Sequence, residues 1–215
     1  FDNWKKPIFE DIIFNQEVEK VKQETRRTLS DLLPNEARKL LYRLSVFLNR
    51  FSRHQALAIG ETKPKIDLAG EKFELLIGPW IEQTDDTYFR LSPLVSGSAT
   101  KVFSQKEVKN LNRVAATSFL DKKSIDFFDI HAILMHGLIG ENPFPLMILV
   151  PNILGVKDEH KQKLFELINW FGYVKTEKDE KFFPSFPLAN HMLRKLQFTL
   201  LSETNPIKAL PVVNN

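Results

Sequence analysis

The sequence predicts a mostly α-helical protein with one small β-hairpin near its middle. Over most of the 215 residues, apolar side chains recur every three or four positions, which is the spacing of an amphipathic helix. The exception is residues 78–95, GPWIEQTDDTYFRLSPLV, where aromatic and β-branched residues flank a polar TDDT turn. With 43% hydrophobic residues, the chain is long enough to form one large or two small cores.

Four helices are predicted before the hairpin. Residues 15–33 form an amphipathic segment, and Pro34 suits the first turn of a second helix that runs to residue 48. The apolar face of this second helix consists of Ala37, Leu40, Leu41, Leu44, Phe47 and Leu48. Ser52 is a good N-cap for a short third helix that stops at Gly60, and residues 68–78 form the fourth. Three helices followed by a hairpin is the element order of a winged-helix domain.

The second half of the chain is predicted to be helical again. Its helix-length segments are residues 105–120, 124–139, 143–154, 158–171 and 186–201. Short connections favour antiparallel hairpins in an α-helical bundle or a tetratricopeptide-like repeat region, although no repeat consensus occurs at a fixed period. The most apolar run, residues 143–156, is too short to cross a bilayer and predicts a buried helix. Residues 175–185 predict a charged loop, and residues 205–215 a loosely held tail.

Composition excludes several classes of protein. There is no cysteine, so neither a disulfide scaffold nor a thiolate metal site is possible. A net charge of +3, from 30 basic and 27 acidic residues, is weak evidence for nucleic-acid binding. No segment has the roughly 20 apolar residues of a membrane span, so we expect no membrane partner and a cytoplasmic protein. Because Phe1 is preceded by no methionine and no signal peptide is evident, we expect a piece of a longer protein.

Residues 33–59, LPNEARKLLYRLSVFLNRFSRHQALAI, followed by a helix and by residues 88–99, YFRLSPLVSGSA, resemble the winged-helix region of STAND signalling ATPases. The first part of the resemblance is carried by Arg38, Leu40, Leu41, Arg43, Leu44, Ser45, Val46, Phe47 and Phe51. The second part is carried by Tyr88, Arg90, Leu91, Leu94 and Ala99. The resemblance implies that residues 1–33 end a helical lid, residues 34–102 form the winged helix, and residues 103–215 form an α-helical, possibly repeat-like, domain.

The resemblance also implies one position that contacts a nucleotide. Family members often keep a histidine after the second hairpin strand, in a Met-His-Asp motif that senses the phosphates, and the matching positions here are Leu91, Ser92 and Pro93. Ser92 offers a hydroxyl there, but only to a nucleotide held by an upstream domain. The chain contains no Gly-x-x-x-x-Gly-Lys-Ser/Thr loop, so we expect no cofactor in this chain and ATP or ADP in the longer protein.

No catalytic residue and no metal site are predicted. Asp85 and Asp86 are adjacent at a turn, where aspartate is common, and are poorly placed to act as an acid–base pair. His131 and His136 are five residues apart and do not share one helical face. The sequence also has no Gly-x-Ser-x-Gly nucleophile motif. We therefore expect a chain that is not an enzyme, while a hydrolase with an unrecognised site remains a third hypothesis.

The two main hypotheses concern the partner of the winged helix. A DNA-binding regulator would place basic and amide side chains of residues 68–78 in the major groove, but this segment has Glu71 and Glu74 against Lys72. We therefore favour a non-catalytic regulatory fragment that packs on an upstream nucleotide-binding domain and on an unidentified protein. DNA binding is the alternative.

Alternation along the hairpin predicts which of its side chains are buried. Ile81, Phe89 and Leu91 suit the core, whereas Trp80, Tyr88 and Arg90 are expected to share an outer or edge face. The predicted interface consists of Arg38, Arg43, Trp80, Tyr88 and Arg90.

Overall fold

A computed structural model describes residues 20, 21, 24, 28–174 and 181–204 of the chain. The protein is mostly helical and contains a small three-stranded antiparallel sheet. It divides into two compact units, Phe1–Phe103 (unit 1) and Ser104–Asn215 (unit 2), and we describe each by itself. Within the described ranges, no helix combines the length and the apolar character needed to cross a membrane.

In its described part, unit 1 contains the end of a first helix, four further helices and three strands. Residues 28–31 are helical, as predicted, and the rest of the first predicted helix lies largely outside the described residues. The elements that follow are α1 (Asn35–Leu44), β1 (Arg50–Ser52), α2 (Arg53–Gly60), α3 (Ala69–Leu76), β2 (Ile81–Gln83), β3 (Tyr88–Leu91), a 3-10 turn (Pro93–Val95) and α4 (Ala99–Val102).

The sheet has the strand order β1-β3-β2, so β3 is its central strand. The predicted hairpin is confirmed, with Ile81 opposite Leu91. The sequence did not indicate β1, which places Phe51 opposite Phe89. Three residues are too few for an alternating pattern to emerge, and the partner strand lies far along the chain.

Helix α1 ends at Leu44, four residues before its predicted end. The chain turns at Ser45, whose hydroxyl donates to a carbonyl of α1 at 2.7 Å and accepts from the backbone N–H of Ala99 at 2.7 Å. Hydrogen bonds between a serine side chain and the backbone compete with helical hydrogen bonds, so those of Ser45 favour the end of α1 at this point. Phe47 is still buried, but Leu48, predicted to lie on the same apolar face, is exposed.

Helix α2 begins and ends where the sequence predicts. The Ser52 hydroxyl accepts from the Gln55 N–H at 3.3 Å, and the Gln55 side chain accepts from the Ser52 N–H at 2.7 Å, which together form a capping box. The helix ends at Gly60, where an added Cβ would lie 2.7 Å from the Cβ of Ala69. The absence of a side chain at Gly60 therefore lets the end of α2 approach the start of α3.

Four phenylalanines build the core of unit 1. Phe47, which follows α1, stacks on Phe51 of β1 with ring centroids 5.0 Å apart. Phe73 of α3 meets Phe89 of β3 edge to face at 5.1 Å, and it also lies 6.5 Å from Phe51. The aromatic cluster joins the sheet to α3, and such ring pairs stabilise a core beyond their buried area.

Arg43 fixes the segment that connects α2 to α3. Its side chain is only 3% exposed, and its guanidinium donates to the carbonyl oxygens of Thr62 at 2.8 Å and Pro64 at 2.7 Å. A buried cation needs such acceptors, because leaving its donors unsatisfied would be costly. Arg43 was predicted to lie at an interface with a partner, but the structure places it in the core of unit 1.

Unit 2 contains every helix predicted for it. Its elements are α5 (Gln105–Ser118), α6 (Phe127–Ile139), α7 (Pro143–Leu154), α8 (Asp158–Ile168), a 3-10 turn (Asn169–Tyr173) and α9 (Pro187–Thr204). Helix α6 starts three residues later than predicted, because Asp126 caps it in a capping box with Asp129. Residues 181–186 of the predicted charged loop lie outside helices and strands, whereas residues 175–180 and the tail 205–215 lie outside the described residues.

Helix α6 is central to unit 2, because it contacts α5, α7 and α8. It approaches α7 closely at Gly137, where an added Cβ would lie 2.7 Å from a methyl group of Leu146. Helix α9 contacts α7 and the 3-10 turn. Gln197 of α9 donates to the carbonyl oxygen of Val174 at 2.9 Å, which holds the end of that turn.

The buried Arg43 generates a prediction about stability. Replacing Arg43 by methionine removes the donors to two carbonyl groups, so we expect unit 1 to lose about 3 kcal/mol. The same change at Arg38, which pairs with Asp31 at 2.7 Å on the surface, is the matched control on α1 and should cost less than about 1 kcal/mol. Native-state hydrogen exchange of the α1 and α2 amides measures unit 1 specifically. Equal losses in the two variants would contradict the structural role of Arg43.

Candidate functional site

The outward face of α3 combines apolar and acidic side chains. Ala69, Phe73 and Leu76 point into the core of unit 1. Leu68, which immediately precedes α3, and Leu75 are 62% and 53% exposed. Glu71 is exposed between them in the chain. Glu71 and Leu75 are four residues apart and lie on one side of the helix, and we call these two residues together with Leu68 the α3 face.

The α3 face has one charged side chain of its own, Glu71, and its edges carry charges of both signs. Glu74, at its edge, pairs with Arg53 of α2 at 2.8 Å, so this carboxylate is matched by a cation. Lys72 flanks the other edge and is half-buried. The exposed carboxylate of Glu71 therefore lies in the middle of the face, between two leucines.

Leu68 has a strained backbone. It precedes the first residue of α3 with φ 53° and ψ 43°, the left-handed conformation, and its side chain forms no capping hydrogen bond. This conformation costs a residue with a Cβ roughly 1–2 kcal/mol, whereas glycine and asparagine adopt it more easily. A leucine that is both strained and exposed does little for the core of unit 1. Strain of this kind is often found at sites of function.

The outer side of the sheet carries a second group of polar side chains. Arg90 lies opposite Arg50 on one side and Glu82 on the other, and it pairs with Glu82 at 2.7 Å. The Arg50 guanidinium lies 4.2 Å from the centre of the Tyr88 ring, a cation–π contact. Tyr88 and Arg90, both predicted at the interface, thus share the outer side of the sheet.

The prediction that Ile81, Phe89 and Leu91 of the hairpin point into the core is confirmed, because all three are buried. Trp80, however, is only 3% exposed and does not share the outer face with Tyr88. Alternation does not apply to it, because β2 begins at Ile81 and Trp80 belongs to the preceding turn, where Gly78 has φ +96°. The backbone of Trp80 bonds to Leu76 and Ser92.

The remaining predicted residues lie apart from the α3 face. Arg38 of α1 donates to Asp31 and to Asn35, each at 2.7 Å. Ser92 follows β3, and its hydroxyl accepts from the Leu94 N–H at 3.4 Å, so it caps the 3-10 turn. The predicted interface residues therefore do not form one surface.

The paired aspartates form a turn, as predicted. One carboxylate oxygen of Asp85 accepts from the backbone N–H groups of Thr87 at 2.8 Å and Tyr88 at 2.9 Å. Asp86 is exposed at the same tip. Asp85 thus stabilises the hairpin loop through local hydrogen bonds.

Two histidines of α6, His131 and His136, have hydrogen-bond partners within unit 2. The Nδ1 of buried His136 lies 2.8 Å from the side-chain oxygen of Asn112, and this contact makes Nδ1 the protonated nitrogen. Burial lowers the pKa of His136 to about 4, with a smaller effect from the charge of His131. His131 accepts at Nδ1 from the Trp170 indole N–H at 3.2 Å. Among the described residues, no group of three or more histidine and acidic side chains is arranged to hold a metal ion.

Two apolar surfaces were missed by the sequence analysis. The first is the α3 face, where the exposure of Leu68 and Leu75 was not predicted. The second is on α7, which was predicted to be buried but exposes Phe144 and Ile148. In α7 no signal of exposure was available from the sequence, because a helix that is apolar on all sides is typical of a buried helix.

No protein-family model, curated protein or solved structure matches the chain.

The strain at Leu68 predicts a stabilising substitution. Leu68→Asn places a residue that tolerates the left-handed conformation at this position and removes little core contact, so we expect unit 1 to gain about 1 kcal/mol. Leu75→Asn is a matched control, since Leu75 is similarly exposed but helical, and it should cost about 0.5 kcal/mol through helix propensity. Hydrogen exchange of the α1 and α2 amides measures both changes. A loss of stability in Leu68→Asn would show that the leucine contributes to the fold.

The buried His136 predicts a pH dependence. Its pKa of about 4 lies below the unfolded value of about 6.5, so the unfolded chain binds the proton more readily. Above pH 6.5, His136 is neutral in both states and does not lower the stability of unit 2. As the pH falls to 4, protonation of the unfolded chain lowers the free energy of unfolding of unit 2 by about 3 kcal/mol. Urea unfolding across this range should show a weaker pH dependence for His136→Gln than for the unmodified chain. Identical pH dependence in the two chains would rule out this contribution.

Proposed function

We propose that the chain is a non-catalytic, regulatory part of a longer ATP-dependent signalling protein and that it works by binding other protein surfaces. Unit 1 would be a winged-helix module that packs on a nucleotide-binding domain outside this chain. The element order α1-β1-α2-α3-β2-β3 and the resemblance of residues 33–59 and 88–99 to STAND ATPases support this proposal. Unit 2 would be a helical bundle or repeat-like region, and the protein would be cytoplasmic.

The observation that carries the proposal is the chemistry of the α3 face. In a helix-turn-helix variant, the helix at this position is the one that enters the DNA major groove. Here it presents Leu68, Glu71 and Leu75. A carboxylate in the groove repels phosphates, and two leucines cannot form hydrogen bonds to base edges. The two leucines suit apolar pockets of a protein surface, and the carboxylate of Glu71 would pair there with a cationic group of the partner.

The outer side of the sheet supports the same proposal. Tyrosine and arginine are enriched at protein interfaces, and Tyr88, Arg50 and Arg90 lie together there. The stacked Arg50 and the paired Arg90 have lost side-chain freedom already, so binding through them costs less entropy.

Ser92 is the position proposed to face a nucleotide in the longer protein. Its hydroxyl oxygen accepts from the Leu94 N–H, and a serine hydroxyl has in addition one proton to donate. That proton suits a phosphate oxygen held by the upstream domain. The position lacks the imidazole of the family motif, so this contact would be weaker than in typical members.

A DNA titration separates the proposed function from the DNA-binding alternative. The chain is added to a fluorescently labelled duplex of about 20 base pairs at about 50 mM salt, and anisotropy is recorded. We expect no saturable binding below about 50 μM, because the α3 face is acidic and apolar. The double variant Glu71→Lys, Glu74→Lys is the control, and it should gain non-specific affinity that salt abolishes. Binding of the unmodified chain at micromolar concentration with a steep salt dependence would overturn the proposal.

A further inference from the structure

The exposed carboxylate of Glu71 is the distinguishing feature of the α3 face. Its neighbour on the same helix, Glu74, forms an ion pair with Arg53 of α2 at 2.8 Å. Among the residues that the structure describes, Glu71 forms neither an ion pair nor a side-chain hydrogen bond. Leu68 and Leu75, which precede and follow it in the chain, are exposed as well. Within the described chain, the α3 face thus combines apolar side chains with a negative charge that no cation matches.

Glu71 also differs from the side chains at the same position of other helices. The third residues of α2, α5 and α6 each accept a hydrogen bond from the backbone N–H of the capping residue, and they are Gln55, Glu107 and Asp129. In α3 the capping residue is Leu68, which has no polar side chain, and the described residues show no such bond to Glu71. The helix dipole favours a carboxylate in the first turn, which explains the sign of the charge but not the exposed leucines.

A partner that covers the two leucines also removes water from Glu71. Burying a carboxylate without a counter-charge is costly, because the charge loses its hydration. An uncharged apolar partner would bury this charge unpaired, and an acidic partner would in addition repel it. A cation placed opposite Glu71 removes the penalty. The chemistry of the α3 face therefore selects a basic group that is surrounded by apolar ones.

We propose that the partner of the α3 face presents an arginine to Glu71, with apolar side chains beside it that cover Leu68 and Leu75. The proposal rests on the proposed function, in which this face binds a protein, and it adds the chemistry of the bound surface. Arginine fits better than lysine for two reasons. Its planar guanidinium donates two parallel hydrogen bonds to a carboxylate. It is also less strongly hydrated than an ammonium group, so it is more easily placed between leucines.

The pair formed by Arg53 and Glu74 supplies a matched control. Glu74 is acidic, lies on the same helix three residues from Glu71, and its side chain is 55% exposed. Its charge, however, is already matched by Arg53 within unit 1. Neutralising Glu74 should therefore weaken the binding of an arginine of the partner less than neutralising Glu71.

A selection from random peptides tests the proposal on the full chain. A phage library of random peptides is first depleted on the Leu75→Asp variant, so that the peptides that remain bind the α3 face. It is then selected on the unmodified chain or on the Glu71→Lys variant. We expect the unmodified chain to select peptides with an arginine among apolar residues. The Glu71→Lys variant should select peptides with an acidic residue in its place, because the charge of the face is reversed.

A double-mutant cycle with one selected peptide shows whether the two charges meet. Replacing the peptide's arginine by glutamine, or Glu71→Gln in the chain, should each weaken binding at least about tenfold, and both together should weaken it little further. Glu74→Gln should weaken it less than about threefold. Circular dichroism confirms that the variants fold. Losses that simply add in the double variant would contradict a direct contact between the arginine and Glu71.

Two further results would overturn the proposal, and they separate its failure from that of the proposed function. Peptides that require Leu75 but show no preference for a basic residue would contradict the arginine alone, and protein binding by the α3 face would stand. A selection in which no peptide survives depletion on Leu75→Asp would contradict the α3 face as a binding surface, and the proposed function with it.

Discussion

The hydrogen bonds from the buried guanidinium of Arg43 to the carbonyl oxygens of Thr62 and Pro64 hold unit 1 in its arrangement. They attach α1 to the segment between α2 and α3, while Gly60 lets the two later helices meet closely. The direction of α3, and therefore the surface it presents, depends on this connection. Any movement of these carbonyl groups would leave the buried guanidinium without acceptors, which is energetically costly. The positions of the elements that carry them are therefore tightly fixed.

Sequence reasoning predicted the elements of the fold more successfully than their exposure. Local signals sufficed for the capping box at Ser52, the turn at Asp85 and the helices of unit 2. The strand β1 was missed because it depends on pairing with β3, a contact that no local pattern contains. The winged-helix arrangement and the domain boundaries inferred from the resemblance remain proposals.

The candidate site was harder to predict, because burial depends on tertiary contacts. Arg43 looked like a surface cation and is a core residue, and Trp80 lies in a turn where strand alternation does not apply. Conversely, Phe144 lies in a helix that was predicted to be buried, and its side chain is exposed. In each case the residue type predicts burial or exposure from its usual preference, but the packing of the surrounding elements gives the opposite result.

The two units present different kinds of surface. The α3 face of unit 1 places a carboxylate between two leucines. A partner would therefore need a positive charge opposite the carboxylate in addition to a matching apolar shape. Helix α7 of unit 2 has no charged residue and exposes Phe144 and Ile148.

The central claim is that the α3 face binds a protein domain. The most direct measurement is hydrogen exchange of residues 66–78, recorded in the isolated chain and in the proposed longer protein with ADP or a non-hydrolysable ATP analogue bound. The account predicts slower exchange in the longer protein with ADP than in the isolated chain, and faster exchange again with the ATP analogue, as the face is released. Equal exchange rates in all three samples would contradict it.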